Sequence, residues 1–202
     1  MKKVLYEYIL RNKKNYIILS ILFLIGIILG IIIINNLSND IKTEINEYLD
    51  NVVSNIKGQN KINKFDMLIL SIKDNVSYIL LIWFLGCTIV GGCLIYLAII
   101  YKGFAIGYTC AALVASIESK VGIMLILSTF VLQNMILIPG IFLIAENGIK
   151  LYKGICKKCT YLKEEVIRHS IIMLISIMIV IISSLIEVYV SVNLLIFLKE
   201  FL

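Results

Sequence analysis

The sequence has few of the residues that interrupt helices or carry out chemistry, with one proline, one histidine and one tryptophan among 202 residues. Charged residues make up only 16% of the chain, whereas hydrophobic residues make up 60%. Soluble domains are about 45–50% apolar and about 25% charged. Because the charges also fall in short clusters between long uncharged runs, the composition excludes an ordinary soluble domain and predicts an integral membrane protein.

Catalytic and cofactor-binding motifs are also missing. The sequence has no His-Glu-x-x-His, no Gly-x-Ser-x-Gly, no phosphate-binding loop and no two carboxylates in one predicted membrane helix. The longest polar segment, 35–75, is marginal for a self-standing core. The net charge of +6 comes from basic residues beside hydrophobic runs, which indicates membrane topology rather than nucleic-acid binding. We therefore expect no enzyme, no cofactor and no nucleic-acid partner.

Five runs are apolar enough to cross a bilayer. As an α-helix, the nineteen residues of the first run rise about 28 Å, close to the hydrocarbon thickness of about 30 Å. Backbone groups in lipid must be paired internally, so each run should be helical. The predicted spans are 16–34, 76–101, 103–117, 121–145 and 170–190. The fold class is therefore all-α: a polytopic protein with about five transmembrane helices in a single membrane domain, 1–202.

The third predicted span is short, since fifteen residues reach only about 22 Å, and a re-entrant hairpin is the alternative. Charge bias favours a full crossing. The basic segment 146–169 belongs on the cytoplasmic side with the basic amino-terminal segment 1–15, and the carboxyl terminus is then extracytoplasmic. Only Lys102 separates the second run from the third. The two runs are long enough for two tightly connected helices if the turn lies somewhat before Lys102, whose long side chain can reach the headgroups.

The loop 35–75 should lie outside the cell, and it contains an apolar stripe at helical spacing. Ser38 and Asp40 supply an amino-terminal cap, and Gly58 suits a carboxyl-terminal stop. This pattern predicts an extracytoplasmic amphipathic helix, about 38–57, which either binds partner proteins or lies flat on the outer leaflet. The candidate partner-binding residues are Ile41, Ile45, Leu49, Val52 and Ile56.

Four residues in the predicted spans are candidates for a functional site. Gln133 and Asn134 lie near the middle of the fourth span, where amides usually hydrogen-bond to neighbouring helices. Pro139 should kink that helix, and a binding site at a broken helix is the alternative interpretation. Glu187 is the only acid in the fifth run and falls near its outer end, which favours an interfacial or partner-facing acid.

Small residues and cysteines give two further hypotheses. Gly103 and Gly107 have GxxxG spacing, and with Gly86 and Gly91 they predict tight packing of the second and third helices within one subunit, with homo-oligomer formation as the alternative. Cys156-Lys-Lys-Cys159 has metal-ligand spacing, but tetrahedral zinc needs four ligands and only His169 lies nearby. Metal binding would require two subunits to pool thiolates, and His169 is expected at the membrane interface.

Several short motifs follow one another along the predicted spans. They are Trp83-Phe84-Leu85-Gly86 in the second span, Lys102-Gly103-Phe104-Ala105-Ile106-Gly107-Tyr108 at the third, Gln133-Asn134 with Ile138-Pro139 in the fourth, and Ser184-Leu185-Ile186-Glu187 in the fifth. In this order and topology they resemble the stage II sporulation protein M family, and the resemblance covers nearly the whole chain. Members often carry proline where this chain has Leu132.

The resemblance implies a role in engulfment during endospore formation. Proteins of this family look like the membrane anchor of a complex with two peptidoglycan hydrolases, an amidase/endopeptidase and a lytic transglycosylase. The expected function is a non-enzymatic scaffold that localises these hydrolases at the septal, engulfing mother-cell membrane. A small transporter or channel that uses Gln133, Asn134 and Pro139 as a midplane site is the second hypothesis.

Overall fold

The computed structural model describes residues 12–37, 64–116, 132–156 and 162–191. These residues form five α-helices and no strand, and all five helices are long and apolar enough to cross a membrane. The prediction of an all-α, five-span membrane protein is therefore confirmed. The helices are α1 (Lys13–Asn35), α2 (Lys64–Gly86), α3 (Gly91–Ser116), α4 (Leu132–Cys156) and α5 (Leu162–Ile186), and a short π-helix, Glu187–Ser191, follows α5.

Helix α1 shows why lipid is the solvent of this bundle. Its buried residues form one stripe at helical spacing, which includes Leu19, Phe23 and Gly26. The rest of its surface is isoleucine and leucine, with Leu24 57% and Ile28 55% exposed. Water disfavours a continuous apolar surface of this extent, whereas hydrocarbon accepts it.

The contacts between α1 and α3 show that these two helices run parallel. Gly26 of α1 faces Ile100 and Phe104, and Gly30, one turn later, faces Phe104 and Tyr108. The residue numbers of the contacting positions therefore increase together along both helices. A parallel pair of helices needs a crossing helix between them, and α2 provides it.

Four other neighbouring pairs of helices run antiparallel. Gln133 near the start of α4 contacts Glu187 after α5, whereas Asn147 near the end of α4 contacts His169 near the start of α5. Contacts between α2 and α5, α2 and α3, and α3 and α4 follow the same pattern. Helices α1, α3 and α5 therefore run in one direction and α2 and α4 in the other.

The five helices pack in two groups around a shared apolar core. Helix α1 packs mainly on α3, whereas α4 packs mainly on α5, and α2 lies against both α4 and α5. We call these groups the α1–α3 pair and the α2–α4–α5 trio. Side chains from both groups form the core, which contains Leu19, Phe23, Ile79, Ile82, Ile95, Ile99, Leu137, Ile141, Ile144, Ala145, Ile149 and Val180.

The predicted boundary between the second and third spans was wrong. The run 76–101 is not one helix, because α2 begins at Lys64 and a turn at 87–90 separates it from α3. The backbone N–H groups of Cys87 and Thr88 bond to the last carbonyls of α2, and Gly91 is needed because a Cβ there would overlap the Leu85 carbonyl. The turn carries no charge, so hydropathy does not reveal it.

The segment 146–169 was predicted as a loop but is mostly helical. Helix α4 continues to Cys156 and α5 begins at Leu162. Glu146 and Asn147 are 0% and 1% exposed, because they face the bundle rather than water. Residues 121–131 of the predicted fourth span lie outside the described residues, as does the whole predicted amphipathic helix with Ile41, Ile45, Leu49, Val52 and Ile56.

Candidate functional site

Polar side chains from α2, α4 and α5 meet around one carboxylate. Oε2 of Glu187 accepts hydrogen bonds from Gln133 Nε2, at 2.6 Å, and from the Ser71 hydroxyl. Ser71 Oγ also lies 2.9 Å from Ser184 Oγ, and Ser183 Oγ donates to the Gln133 carbonyl at 2.9 Å. We call these five residues the Glu187 cluster. It ties three helices together inside the apolar bundle.

The position of Glu187 follows from the spacing of polar residues on α5. Ser183 and Ser184 precede it by four and three residues, so all three lie on the face of α5 that meets α2 and α4. A carboxylate in lipid needs donors close by, and this face supplies them. Glu187 also begins the π-helix, a geometry found often at functional sites. The carboxylate thus bonds to neighbouring helices of its own chain.

Lys102 lies about one helical turn from the Glu187 cluster, as measured along α2 from Ser71 to Asn75. Lys102 Nζ donates to Asn75 Oδ1 at 3.3 Å and lies 5.1 Å from the centre of the Tyr78 ring. Asn75 Nδ2 in turn donates to the Ser71 carbonyl at 3.0 Å, which joins the lysine to the Glu187 cluster. The sequence position of Lys102 suggested that it separates two spans at the headgroups. The structure shows that it does not. It lies in the middle of α3 and places a basic side chain within the candidate membrane span.

The predicted polar residues of α4 separate in the structure. Gln133 belongs to the Glu187 cluster, and Asn134 is 8% exposed. Pro139 lies inside α4 on an exposed face. The carbonyl of the next residue, Gly140, accepts a hydrogen bond from Ser176 of α5 at 3.1 Å. Of the three residues, Gln133 is the one whose side chain bonds to Glu187 in the contacts described above.

A second polar cluster surrounds His169, which was expected at the membrane interface but is completely buried. Its Nε2 lies 3.2 Å from the Trp83 carbonyl, and its Nδ1 lies 3.5 Å from Asn147 Nδ2. A carbonyl can only accept and an amide NH₂ can only donate. These two contacts fit a neutral imidazole with its proton on Nε2. No local sequence pattern signals this burial, because the partners are distant in the chain.

The contact with Trp83 caps the carboxyl end of α2. The last four carbonyls of a helix have no intrahelical donor, and the Trp83 carbonyl is one of them. His169 supplies the missing donor from α5, and Trp83 Nε1 bonds to Ser170 Oγ at 3.3 Å. A Cβ on Gly86 would lie 2.6 Å from His169 Nε2, so this glycine makes room for the ring. Gly86 was predicted to pack on the third helix, but its partners are His169 of α5 and Gly148 of α4.

A buried acid lies next to this second cluster. Glu146 is fully buried, and Lys150 Nζ, one turn along α4, lies 3.0 Å from its Oε1. Spacing of i and i+4 places the two side chains on one face of the helix. Lys150 keeps 23% of its side chain exposed, so the pair neutralises the acid while the cation remains near water.

The glycines of α3 pack on a different helix from the one predicted. Gly103 and Gly107 contact the backbone of α1, not α2. Gly26 and Gly30 face α3 in return, so two GxxxG segments meet. The same four-residue spacing in α1 was the signal that sequence reasoning overlooked. Side chains at these positions would hold the two backbones apart.

The cysteines of the described ranges are free thiols, and no group of three His, Cys, Asp or Glu residues there could hold a metal ion. Cys156 lies at the exposed end of α4, whereas Cys159 lies outside the described residues. The metal-binding hypothesis for this pair stays untested.

Comparison with known proteins identifies the family. A family model described as Stage II sporulation protein M matches residues 19–192, which include most of α1 and the whole of α2 to α5. The chain belongs to the stage II sporulation protein M family. No curated protein and no solved structure matches it. Membership in this family makes the chain a multi-pass membrane protein of sporulation.

The motifs on which the resemblance was based contribute residues to both polar clusters. Gln133 and Glu187 come from the fourth and fifth helices, and Lys102 from the third joins them through Asn75. The Trp83 segment of α2 contacts His169 at the other end of the bundle. Segments far apart in the sequence thus meet at two places, and the Glu187 cluster is the candidate functional site.

Proposed function

We propose that this protein is a non-enzymatic membrane scaffold of the engulfment machinery in endospore formation. It anchors two peptidoglycan hydrolases, an amidase/endopeptidase and a lytic transglycosylase, at the septal membrane. The family match over residues 19–192 carries this proposal, because it includes residues of all five helices. In this role the bundle is a rigid base, and the partners bind outside the membrane.

The distribution of charge supports an orientation with the amino terminus in the cytoplasm and the carboxyl terminus outside. The start of α1, the end of α4 and the start of α5 lie at the same end of the bundle, and basic residues collect there. Basic residues are retained on the cytoplasmic side of membranes. These residues are Lys13, Lys14, Lys150, Lys153, Lys163 and Arg168.

Protease protection tests this orientation. Trypsin added to sealed, intact protoplasts should leave the linker between α4 and α5, which contains Lys157 and Lys158, uncut. In inverted vesicles the same linker should be cleaved. Cleavage in intact protoplasts would reverse the orientation and remove the basis for partners on the outer side.

The partner-binding surface in this proposal is the apolar stripe of 38–57, which lies between α1 and α2 in the chain. With the proposed orientation this segment is outside the cell, where septal peptidoglycan is cut. An amphipathic helix binds a partner by placing its apolar face in a hydrophobic groove. Ile45, Leu49 and Val52 form the centre of the stripe.

Co-purification tests the stripe. Replacing Ile45, Leu49 and Val52 by Asp should lower recovery of the hydrolases from sporulating cells by at least about tenfold, which needs only ~1.4 kcal/mol of lost affinity. The matched control, Thr43→Asp, Asn46→Asp and Ser54→Asp, adds the same charges to the opposite helical face. Its recovery should stay near that of the unchanged protein. Equal recovery from both triple variants would reject the stripe as the binding surface.

A small transporter or channel is the second candidate, and the Glu187 cluster is the observation that favours it. Polar groups from several helices converge inside the bundle, as they do around substrates in transporters. Flux through reconstituted vesicles tests this function. A solute-specific flux that is lost in the Gln133→Leu, Asn134→Leu variant would support transport. The absence of any flux would reject the transporter and leave the scaffold as the proposed function.

A further inference from the structure

The two helix groups are held together internally by different forces. In the α1–α3 pair, glycines bring the two backbones into direct contact. In the α2–α4–α5 trio, hydrogen bonds from Ser71, Gln133, Ser176 and Ser183 join the helices. Packing between the groups is less extensive than packing within them. The pair and the trio are therefore two units, and what joins them becomes a separate question.

Apolar contacts make up part of the boundary between the units. The Phe23 ring of α1 meets the Phe142 ring of α4 edge to face, with centroids 5.7 Å apart. Ile95 of α3 contacts Gly148 of α4 through its terminal methyl group. Hydrocarbon surrounds the protein, so such contacts gain little over contact with lipid. Polar contacts across the boundary should carry more of the specificity.

Lys102 and Tyr78 make polar contacts of this kind. Lys102 belongs to the pair, yet each of its polar partners in the part of the chain that the structure describes belongs to the trio: Asn75 at 3.3 Å and the face of Tyr78. The Tyr78 hydroxyl crosses in the opposite direction and donates to the Ala98 carbonyl of α3 at 2.6 Å.

We propose that Lys102 is a latch that holds the α1–α3 pair against the α2–α4–α5 trio. If the pair moved away from the trio, the ammonium would lose Asn75 and the Tyr78 ring, and it would face lipid alone. An isolated lysine within a bilayer is strongly disfavoured. The cost of exposing this cation therefore keeps the two units together and sets their alignment.

Cysteine labelling tests the latch in the full-length protein. In a variant without the five native cysteines, Ile99→Cys reports on the boundary, because Ile99 is fully buried and lies one turn from Ile95. Ser176→Cys reports on the interior of the trio, because Ser176 is also fully buried and bonds to Gly140. A membrane-permeant maleimide labels each thiol only when its surroundings open.

Lys102→Met should raise the labelling rate at the Ile99→Cys position by about threefold or more, the factor that corresponds to one interhelical hydrogen bond in a membrane. The rate at the Ser176→Cys position should stay unchanged. Lys102→Arg keeps a cation and a donor, so labelling at the Ile99→Cys position should rise less than in Lys102→Met. If Lys102→Met does not accumulate, Asn75→Leu removes the acceptor of the same contact and should give the same pattern.

Two results would overturn the proposal. Unchanged labelling at both positions would mean that Lys102 does not hold the units together. Equal increases at both positions would mean that the lysine supports the whole bundle rather than the boundary. An effect confined to the boundary supports the latch.

Discussion

The pair and the trio show two ways in which helices associate when hydrocarbon is the solvent. In the α1–α3 pair the contact depends on shape, because Gly26, Gly30, Gly103 and Gly107 let the backbones touch. In the trio it depends on hydrogen-bond partners, which supply the attraction that apolar side chains lack in lipid. The difference teaches that the pair should be sensitive to added volume, whereas the trio should be sensitive to removed polar groups.

The largest loss of stability is expected from a substitution that disrupts the α1–α3 pair. Gly107→Ala should lower the free energy of unfolding by about 1–3 kcal/mol, because the new Cβ would overlap the Ile27 carbonyl and the helices must move apart. Titration with denaturing detergent in mixed micelles measures this. In the control Gly154→Ala, the nearest atom lies 3.9 Å from the new Cβ, so stability should stay the same or rise slightly. Equal losses in both variants would contradict shape-dependent packing.

An intermediate effect is expected in the trio. Glu187→Leu removes the acceptor of the bonds from Ser71 and Gln133 and should lower the free energy of unfolding by about 1 kcal/mol, at ~0.6 kcal/mol for each interhelical bond. Glu187→Gln keeps an acceptor oxygen and should lose less. The same detergent titration compares the two variants. A larger loss for Gln than for Leu would mean that these hydrogen bonds do not stabilise the trio.

The smallest expected effect concerns a single bond in the trio. Ser176→Ala removes the donor to the Gly140 carbonyl and should lower the free energy of unfolding by about 0.6 kcal/mol. Ser77→Ala changes an exposed serine on α2 and serves as the control, with no change expected. If the two variants were equally stable in the detergent titration, the bond between α4 and α5 would contribute nothing.

Much of the architecture follows from local sequence. The run 16–34 is uncharged, and the structure forms a helix over it, Lys13–Asn35. The paired serines and Glu187 of α5 already share a face at helical spacing. These properties depend on neighbouring residues and on the thickness of the bilayer, so the chain alone predicts them.

Other features of the structure could not be predicted from the sequence. The turn at 87–90 has no charge or proline to mark it, so Lys102 was assigned to a span boundary rather than to the middle of α3. His169 has charged neighbours and was expected at the interface, yet Gly86 and Gly148 make room for it between helices. In each case the deciding contact comes from another helix.

The sequence by itself therefore determined the solvent of this protein, its helical class and its five crossings, because hydropathy and backbone pairing act over a single run of residues. Only the tertiary structure decided that α1 packs on α3, that Gln133 and Ser71 bind Glu187, and that Lys102 reaches Asn75. These choices depend on which faces of distant helices fit together, and that fit is a property of the packed bundle rather than of any one segment.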